Sequence, residues 1–235
     1  MKSSIETIIA GAVREGRKFL LEFEAEEILS ARGIPVALGI LAATEGETRA
    51  AAARLGFPLV IKVMSPQIIH KSDAGAVKVG IPDEASLLAA RETVLANARR
   101  YAPAAVIKGV FIQKMISAGR EVIVGSSRDP QFGPVIMFGL GGIFVEVLKD
   151  VVFRVAPVDE EEALRMIREI KTFAILRGVR GEKPINFSAL ASVINRISRL
   201  MIDYPMIAEL DANPVRVDET QACVVDARII LDKVP

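Results

Sequence analysis

The chain has 235 residues, of which 30 are basic and 29 acidic, giving a formal charge of +1; it is 51 % hydrophobic and only 5 % aromatic. Near-neutrality removes the electrostatic drive towards nucleic acid or an anionic membrane surface, and the core has to be built from aliphatic side chains. The single cysteine, Cys223, sits in an apolar run, which excludes a disulfide framework and fits a reducing, cytoplasmic setting.

The opening stretch "MKSSIETIIAGAVREGRKFLLEF" has charges within its apolar segment and does not read as a signal peptide. Residues 1–20 are taken as an N-terminal extension. A helix is expected over 20–32, with Leu21, Ala25, Ile28 and Leu29 on one face and Gly33 as its stop. "TEGE" at 44–47 is a capping box, in which Thr44 accepts from the Glu47 amide while Glu47 reaches back. The helix it opens ends at Gly56, and "PLVIKVM" (58–64) follows as a buried strand carrying one charge, Lys62. The loop with the only histidine, His70, leads into a strand "AVKVGI" (76–81) and then a helix over 84–101 with Leu87, Leu88, Val94, Leu95 and Ala98 aligned.

The middle is strand-rich: "AVIKGVFIQKM", "REVIVGSS", "PVIMFGLG" and "VVFRVAPV" are separated by short glycine-bearing turns. The longest uncharged stretch, "FGPVIMFGLGGIFV", falls short of the roughly 20 apolar residues a bilayer span needs. Helices return over 160–173, opened by an Asp159/Glu162 capping box, and over 187–203, where Leu190, Val193, Ile194, Ile197, Leu200 and Met201 form a stripe. The chain closes on "MIAELDANPVRV" and "QACVVDARIIL", two strands joined by a polar turn. Strands and helices mix without strict alternation, so a two-lobed α+β architecture is expected.

The closing hairpin carries the most chemistry. On a strand, Glu209, Asp211 and Asn213 fall on one face. If the turn centres between Glu219 and Thr220, Asn213 faces Asp226 and Asp211 faces Arg228. Opposed Cβ atoms lie about 5 Å apart, close enough for Asn213 and Asp226 to share a hard cation such as Mg²⁺, which takes one or two protein carboxylates plus phosphate and water. The spacing is equally compatible with an Asp211–Arg228 cross-strand ion pair beside solvent-facing neighbours, and Pro214 can shift the register through a bulge. Lys62 can snorkel to the rim of its strand or hold a phosphate as a point charge. "HKSDAG" can offer backbone amides to phosphate oxygens. "GLGGIF" (139–144) lacks the third glycine of the dinucleotide pattern, where Phe144 stands, and no P-loop motif occurs. "FIQKMISAGRE" can read an adenine edge through the backbone at 113–116 and accept ribose hydroxyls at Glu121, or be a hairpin with a polar face.

Taken together, "PLVIKVMSPQIIHKSDAGAVKVG", "IQKMISAGREVIVGSSRDPQFGPVIMFGLGGIFVEVLKDVVFR", "LRGVRGEKP" and "AELDANPVRV…VVDARI" resemble the ATP-grasp fold, specifically the nucleotide-binding β subunit of ADP-forming (NDP-forming) acetyl-CoA synthetases, or acetate–CoA ligases. The resemblance covers nearly the whole chain, and the long middle block is its most specific part. It implies a nucleotide held between two lobes, an N-terminal lobe at 21–112 and a C-terminal lobe at 113–235 with the metal-binding hairpin.

Carried over residue by residue, the resemblance makes Lys62 a phosphate-binding lysine, with Ser72 and Gly75 in the phosphate loop. Gln113, Lys114, Met115 and Ile116 become the adenine hinge and Glu121 a nucleotide ligand. Asn213 and Asp226 become the Mg²⁺ ligands, Asp211 the acid that steadies a phosphohistidine, and His70 the histidine that relays phosphate. One departure is Ala76, which stands where many relatives have a second glycine.

The implied activity is acyl-CoA + ADP + phosphate ⇌ acid + CoA + ATP, with Mg²⁺ as cofactor and ATP/ADP as substrate. Related succinyl-CoA synthetase β chains continue past the hairpin into a further domain, whereas "ARIILDKVP" closes this one. A partner is therefore expected: an α subunit carrying the CoA-binding domain and another phosphohistidine, in a heterotetramer. The rival readings are a self-contained ATP-grasp carboxylate–amine ligase, which needs a second substrate pocket and no phosphohistidine, and a non-catalytic nucleotide-binding module of a larger acetyltransferase. Lys62, Asn213 and Asp226 argue against the latter.

Overall fold

The computed structural model describes residues 4–142, 149–179 and 181–232; Phe144 of the glycine-rich pattern and Arg180 of "LRGVRGEKP" lie outside the described residues. The chain forms two compact units, Ala37–Ile116 and a larger one built from Met1–Val36 together with Ser117–Pro235. The divisions thus fall at 36/37 and 116/117, not at the expected 20/21 and 112/113.

The first helices explain that correction. Helix α1 (Ser4–Arg14) buries Ile5, Ile9 and Ala12, a one-sided stripe that needs apolar cover. Helix α2 (Glu22–Ala31) buries Ala25, Ile28 and Leu29 and stops before Gly33, whose φ of +70° suits only glycine. Both stripes enter the same core as the C-terminal half of the chain. Between the helices, Leu20 N donates to Ile229 O (2.9 Å) and Leu231 N to Lys18 O (2.8 Å), so the opening residues are bonded to the last strand. The segment expected as an extension, 1–20, therefore contributes its helix α1 to the larger unit's core and does not extend the smaller one.

The unit Ala37–Ile116 is an antiparallel sheet of β1 (Gly39–Ala42), β2 (Leu59–Met64), β3 (Val77–Ile81) and β4 (Gly109–Lys114), in the order β1-β4-β2-β3. Helices α3 (Glu45–Leu55) and α4 (Glu84–Tyr101) pack on it through Ala51, Ala52, Leu87, Ala90 and Val94. The Thr44/Glu47 box closes in both directions: Glu47 N donates to Thr44 Oγ1 (3.2 Å) and Thr44 N to Glu47 Oε2 (3.0 Å). These backbone donors hold the Glu47 carboxyl below the usual range.

In the larger unit, β5 (Arg120–Asp129), β6 (Gly133–Leu140), β7 (Val151–Val155), β8 (Ile207–Val217) and β10 (Ala227–Leu231) form an antiparallel sheet in the order β10-β8-β5-β6-β7, with β9 (Ala222–Val224) also paired to β8. Helices α5 (Glu160–Glu169) and α7 (Phe187–Asp203) cover one face; every residue of the expected α7 stripe is buried, each contributing roughly 1.5–3 kcal/mol of hydrophobic stabilisation. The other face keeps Phe153 and Val155 about half exposed, at 55 % and 49 %.

The helix expected over 160–173 is interrupted. The buried Asp150 carboxylate takes the amides of Lys171 (2.9 Å) and Thr172 (2.7 Å) and the Thr172 hydroxyl (2.6 Å), which ends α5 and leaves only a short α6 (Phe173–Leu176). The Asp159/Glu162 box is half formed. Asp159 accepts from Glu162 N (2.8 Å), but the Glu162 carboxylate is committed to Arg154 Nε (2.6 Å) and cannot reach back. No helix among the described residues is long and apolar enough to cross a membrane.

Candidate active site

Lys62 does not snorkel. It is 6 % exposed, and its Nζ donates to Gln113 Oε1 at 3.0 Å. The sheet register accounts for the meeting: Val60 pairs with Gln113 and Lys62 with Phe111, so Lys62 and Gln113 are diagonal neighbours on one face of the sheet. A buried ammonium is costly to desolvate and is stabilised by an anion brought against it.

Along the expected adenine hinge, Lys114 N donates to Leu38 O (2.8 Å) and Met115 N to Pro58 O (3.2 Å). Lys114 Nζ is committed to the carbonyls of Gly56 and Phe57, both at 2.9 Å. Among the described residues no carbonyl takes up the amide of Ile116. Ile116 N is thus the hinge amide left for an adenine edge to use, while the Lys114 side chain is committed to Gly56 and Phe57 and the Gln113 side chain to Lys62.

His70 stands exposed in a turn between β2 and β3. The turn is pinned at its base: Ile68, Ala74 and Ala76 are buried, Ala74 N donates to His70 O, Ala76 N to Lys71 O (2.8 Å), and Asn97 Nδ2 to Gly75 O (2.9 Å). Gly75 N is taken by Ser72 O (3.0 Å), so Gly75 acts through its φ of +58° and offers no amide to phosphate. Ser72 is exposed beside it. Ala76 is fully buried, so its methyl is absorbed by the core and leaves the turn as it is. Sequence reasoning missed Asn97, which comes from α4 and is distant in the chain.

On the hairpin, the sequence register holds. Asp211 pairs with Arg228, Ala212 with Ala227, and Asn213 N donates to Asp226 O at 3.1 Å. Pro214 does not slip this pairing, since Val225 N still reaches Pro214 O (3.0 Å). Asp218 closes the turn, accepting from Thr220 N (2.7 Å) and Gln221 N (2.9 Å). Asn213 and Asp226 thus present an amide and a carboxylate oxygen from opposed positions, a hard-oxygen donor pair that fits Mg²⁺ completed by phosphate and water. Among the described residues no group of three or more His, Cys, Asp or Glu is assembled to hold a metal without such help.

Asp211 lines a concavity of about 300 Å³ on the face of the larger sheet opposite α5 and α7, with Gly125, Met137, Phe153 and Arg228 around it. Gly125 lies directly across from Asp211, and a Cβ there would come within 3.1 Å of Met137 Cε. Burial pushes the Asp211 carboxyl above the ordinary aspartate range, and Arg228 pulls it partly back. Glu121 is held by Arg216, whose Nη2 lies 2.6 Å from Glu121 Oε1. Nothing in the sequence pattern singled out Arg216.

Cys223, on β9, is buried, and desolvation pushes its thiol up to about 11. At pH 8 only about one thiol in a thousand is then thiolate. Native protein should be silent to a disulfide-exchange reagent and react once per chain when unfolded; rapid labelling of the native form would contradict the burial.

Lys62, His70 and the hinge belong to the smaller unit, and Glu121, Asp211, Asn213 and Asp226 to the larger. A family model described as "ATP-grasp domain" matches residues 11–231. The chain is 53 % identical over 224 residues to the β subunit of acetate–CoA ligase [ADP-forming] I of Pyrococcus furiosus, covering 95 % of this chain and 96 % of that one. The chain belongs to the ATP-grasp β subunits of the ADP-forming acetate–CoA ligases. It is also 48 % identical to a 4-hydroxybutyrate–CoA ligase [ADP-forming] of Nitrosopumilus maritimus, covering 97 % of this chain but spanning only 33 % of that protein.

Solved structures of the dinucleotide forming acetyl-coenzyme A synthetase 1 of Ca. Korarchaeum cryptofilum are similar, each match covering 97 % of this chain and 100 % of that one. One, with coenzyme A, Ca-AMPCP and HgCl⁺, superposes with a TM-score of 0.94 at 44 % identity. Another, with coenzyme A and Mg-AMPPCP and its phosphohistidine segment pointing towards the nucleotide binding site, gives 0.87 at 41 %.

Proposed function

We propose that this chain is the nucleotide-handling β subunit of an ADP-forming acyl-CoA synthetase and moves phosphate between a phosphohistidine and ADP. Together with an α subunit it converts acyl-CoA, ADP and phosphate to acid, CoA and ATP. The observation that carries this is the exposed position of the sole histidine on a pinned turn, in a chain that matches such a β subunit over nearly its whole length.

In the ATP-forming direction the phosphoryl group leaves a ring nitrogen of His70 for the terminal oxygen of ADP; the N–P bond breaks, a P–O bond forms, and the imidazole recovers its lone pair. Transfers of this kind depend on positioning and charge neutralisation. Lys62, held in place by Gln113, offsets phosphate charge from a buried position. Ile116 N reads the adenine edge, Glu121 accepts ribose hydroxyls, and Asp211 is the acid that steadies a phosphohistidine. Asn213 and Asp226 hold Mg²⁺. When bound, that ion neutralises phosphate oxygens. The name "subunit beta" borne by the relatives implies a partner; we assign it the CoA-binding domain and a second phosphohistidine, in a cytoplasmic heterotetramer.

The isolated chain should bind Mg·ADP, with heat released in titration calorimetry, yet make no acyl-CoA until the α subunit is added. Robust acyl-CoA synthesis by the lone chain would refute the division of labour, and failure of the mixture to turn over acyl-CoA would refute the function.

A further inference from the structure

The reading of Glu121 as the ribose acceptor leaves open what aims its carboxylate. On β8, Ala212 pairs with Val124 but Val215 pairs with Val122, so Asn213 and Pro214 together stand against Ile123 alone. This bulge reverses which residues face the core. Before it, Leu210 and Ala212 are buried; after it, Val215 and Val217 are. Arg216 consequently emerges on the face opposite α5 and α7, directly across from Glu121.

We infer that Arg216 is a positioning residue that sets the Glu121 carboxylate for the nucleotide ribose, an assignment that rests on Glu121 being the ribose acceptor. Arg216 is fixed at two points: Nη2 lies 2.6 Å from Glu121 Oε1, and Nη1 donates to Gly119 O at 3.2 Å. Gly119 is itself locked, with φ +94° and no room for a Cβ, which would lie 2.6 Å from Val217 O. The guanidinium fork therefore ties the carboxylate to rigid backbone. The Glu121 main chain is held as well, its carbonyl accepting from Gly141 N at 2.8 Å.

Oε1 is thus engaged by arginine, while Oε2 lies beside Gly142 and Gly141 packs against the Glu121 main chain and Cβ. A Cβ at Gly142 would be 3.4 Å from that oxygen. Both side chains remain partly exposed, at 27 % for Arg216 and 36 % for Glu121, so the pair is not sealed within the core. A glutamate without this clamp samples several rotamers and has to lose that freedom each time nucleotide binds.

The test uses the reconstituted α/β enzyme and compares kcat/KM for ADP with that for 2′-deoxy-ADP and 3′-deoxy-ADP. Glu121→Gln should erode the preference for the intact ribose. Arg216→Met, which keeps the stem and removes the fork, should raise the KM for ADP by roughly tenfold and erode the same preference. Arg216→Lys should restore part of it. Glu121→Gln combined with Arg216→Met should discriminate no worse than Glu121→Gln alone, because the arginine acts only through the glutamate. Thermal unfolding of each variant separates misfolding from mispositioning.

A lowered kcat/KM for all three nucleotides in equal proportion, with the ribose preference of the wild type kept in Arg216→Met and Arg216→Lys, would overturn the inference while leaving the Glu121 assignment standing. Unchanged discrimination in Glu121→Gln would overturn both.

Discussion

His70→Ala should remove all phosphoryl label from this chain while nucleotide binding survives. In the wild type, attack by a ring nitrogen on the γ-phosphorus of labelled ATP breaks the bond to ADP and leaves an acid-labile, base-stable phosphoramidate. No second histidine exists to substitute, so any residual label of that stability would have to lie on the α subunit, and separating the chains before counting resolves the two. The fold should not suffer. His70 is exposed, and the turn is held by Ile68, Ala74, Ala76 and the Asn97–Gly75 bond, none of which involves the imidazole. A change of stability within about 0.5 kcal/mol is expected for such a surface substitution. Overall acyl-CoA turnover should vanish with the label. Unchanged labelling, or unchanged turnover, would mean that the turn only clamps phosphate.

The second large effect is expected at the hairpin. Asn213→Ala and Asp226→Ala each remove one oxygen from the opposed pair, and each should lower nucleotide turnover at limiting Mg²⁺ by roughly 10²-fold. Raising Mg²⁺ should recover part of that loss, because the remaining ligand and the nucleotide phosphates still bind the ion. The ladder around these positions is backbone-made, with Asn213 N on Asp226 O and Val225 N on Pro214 O, so it survives both substitutions. Unfolding midpoints should accordingly move by no more than about 2–4 °C. If both variants kept the Mg²⁺ dependence of the wild type, the hairpin would be a structural ladder only. Isothermal titration of Mg·ADP into each variant tests the same pair of ligands without the partner subunit.

Much of this molecule was legible locally. The Thr44/Glu47 box, the Gly33 and Gly56 stops, the α7 stripe and the hairpin register are all decided by residues a few positions apart. A capping bond, a left-handed glycine and a one-sided stripe have the same energetics wherever the segment sits. The hairpin register follows from a turn whose Asp218 takes its own neighbours' amides, leaving the strands one alignment that keeps Leu210, Ala212, Ile229 and Ala227 inside.

What tertiary structure decided depends on partners far along the chain. Whether Glu162 completes its box or serves Arg154 rests on β7 lying within reach. The break after α5 is made by Asp150, whose buried carboxylate outcompetes helix continuation by collecting three donors. The unit boundaries moved because α1 packs on α2 and α2 on β10, so that both stripes join the core of the C-terminal half, a choice that sequence proximity cannot reveal. Lys62 meets Gln113 only through the pairing of β2 with β4. The bulge at Asn213 and Pro214 arises against β5, and it alone turns Arg216 from the core face to Glu121. Local chemistry determined the elements and the candidate residues of this protein; competition among distant groups for the same donors, acceptors and apolar cover decided which of those residues meet.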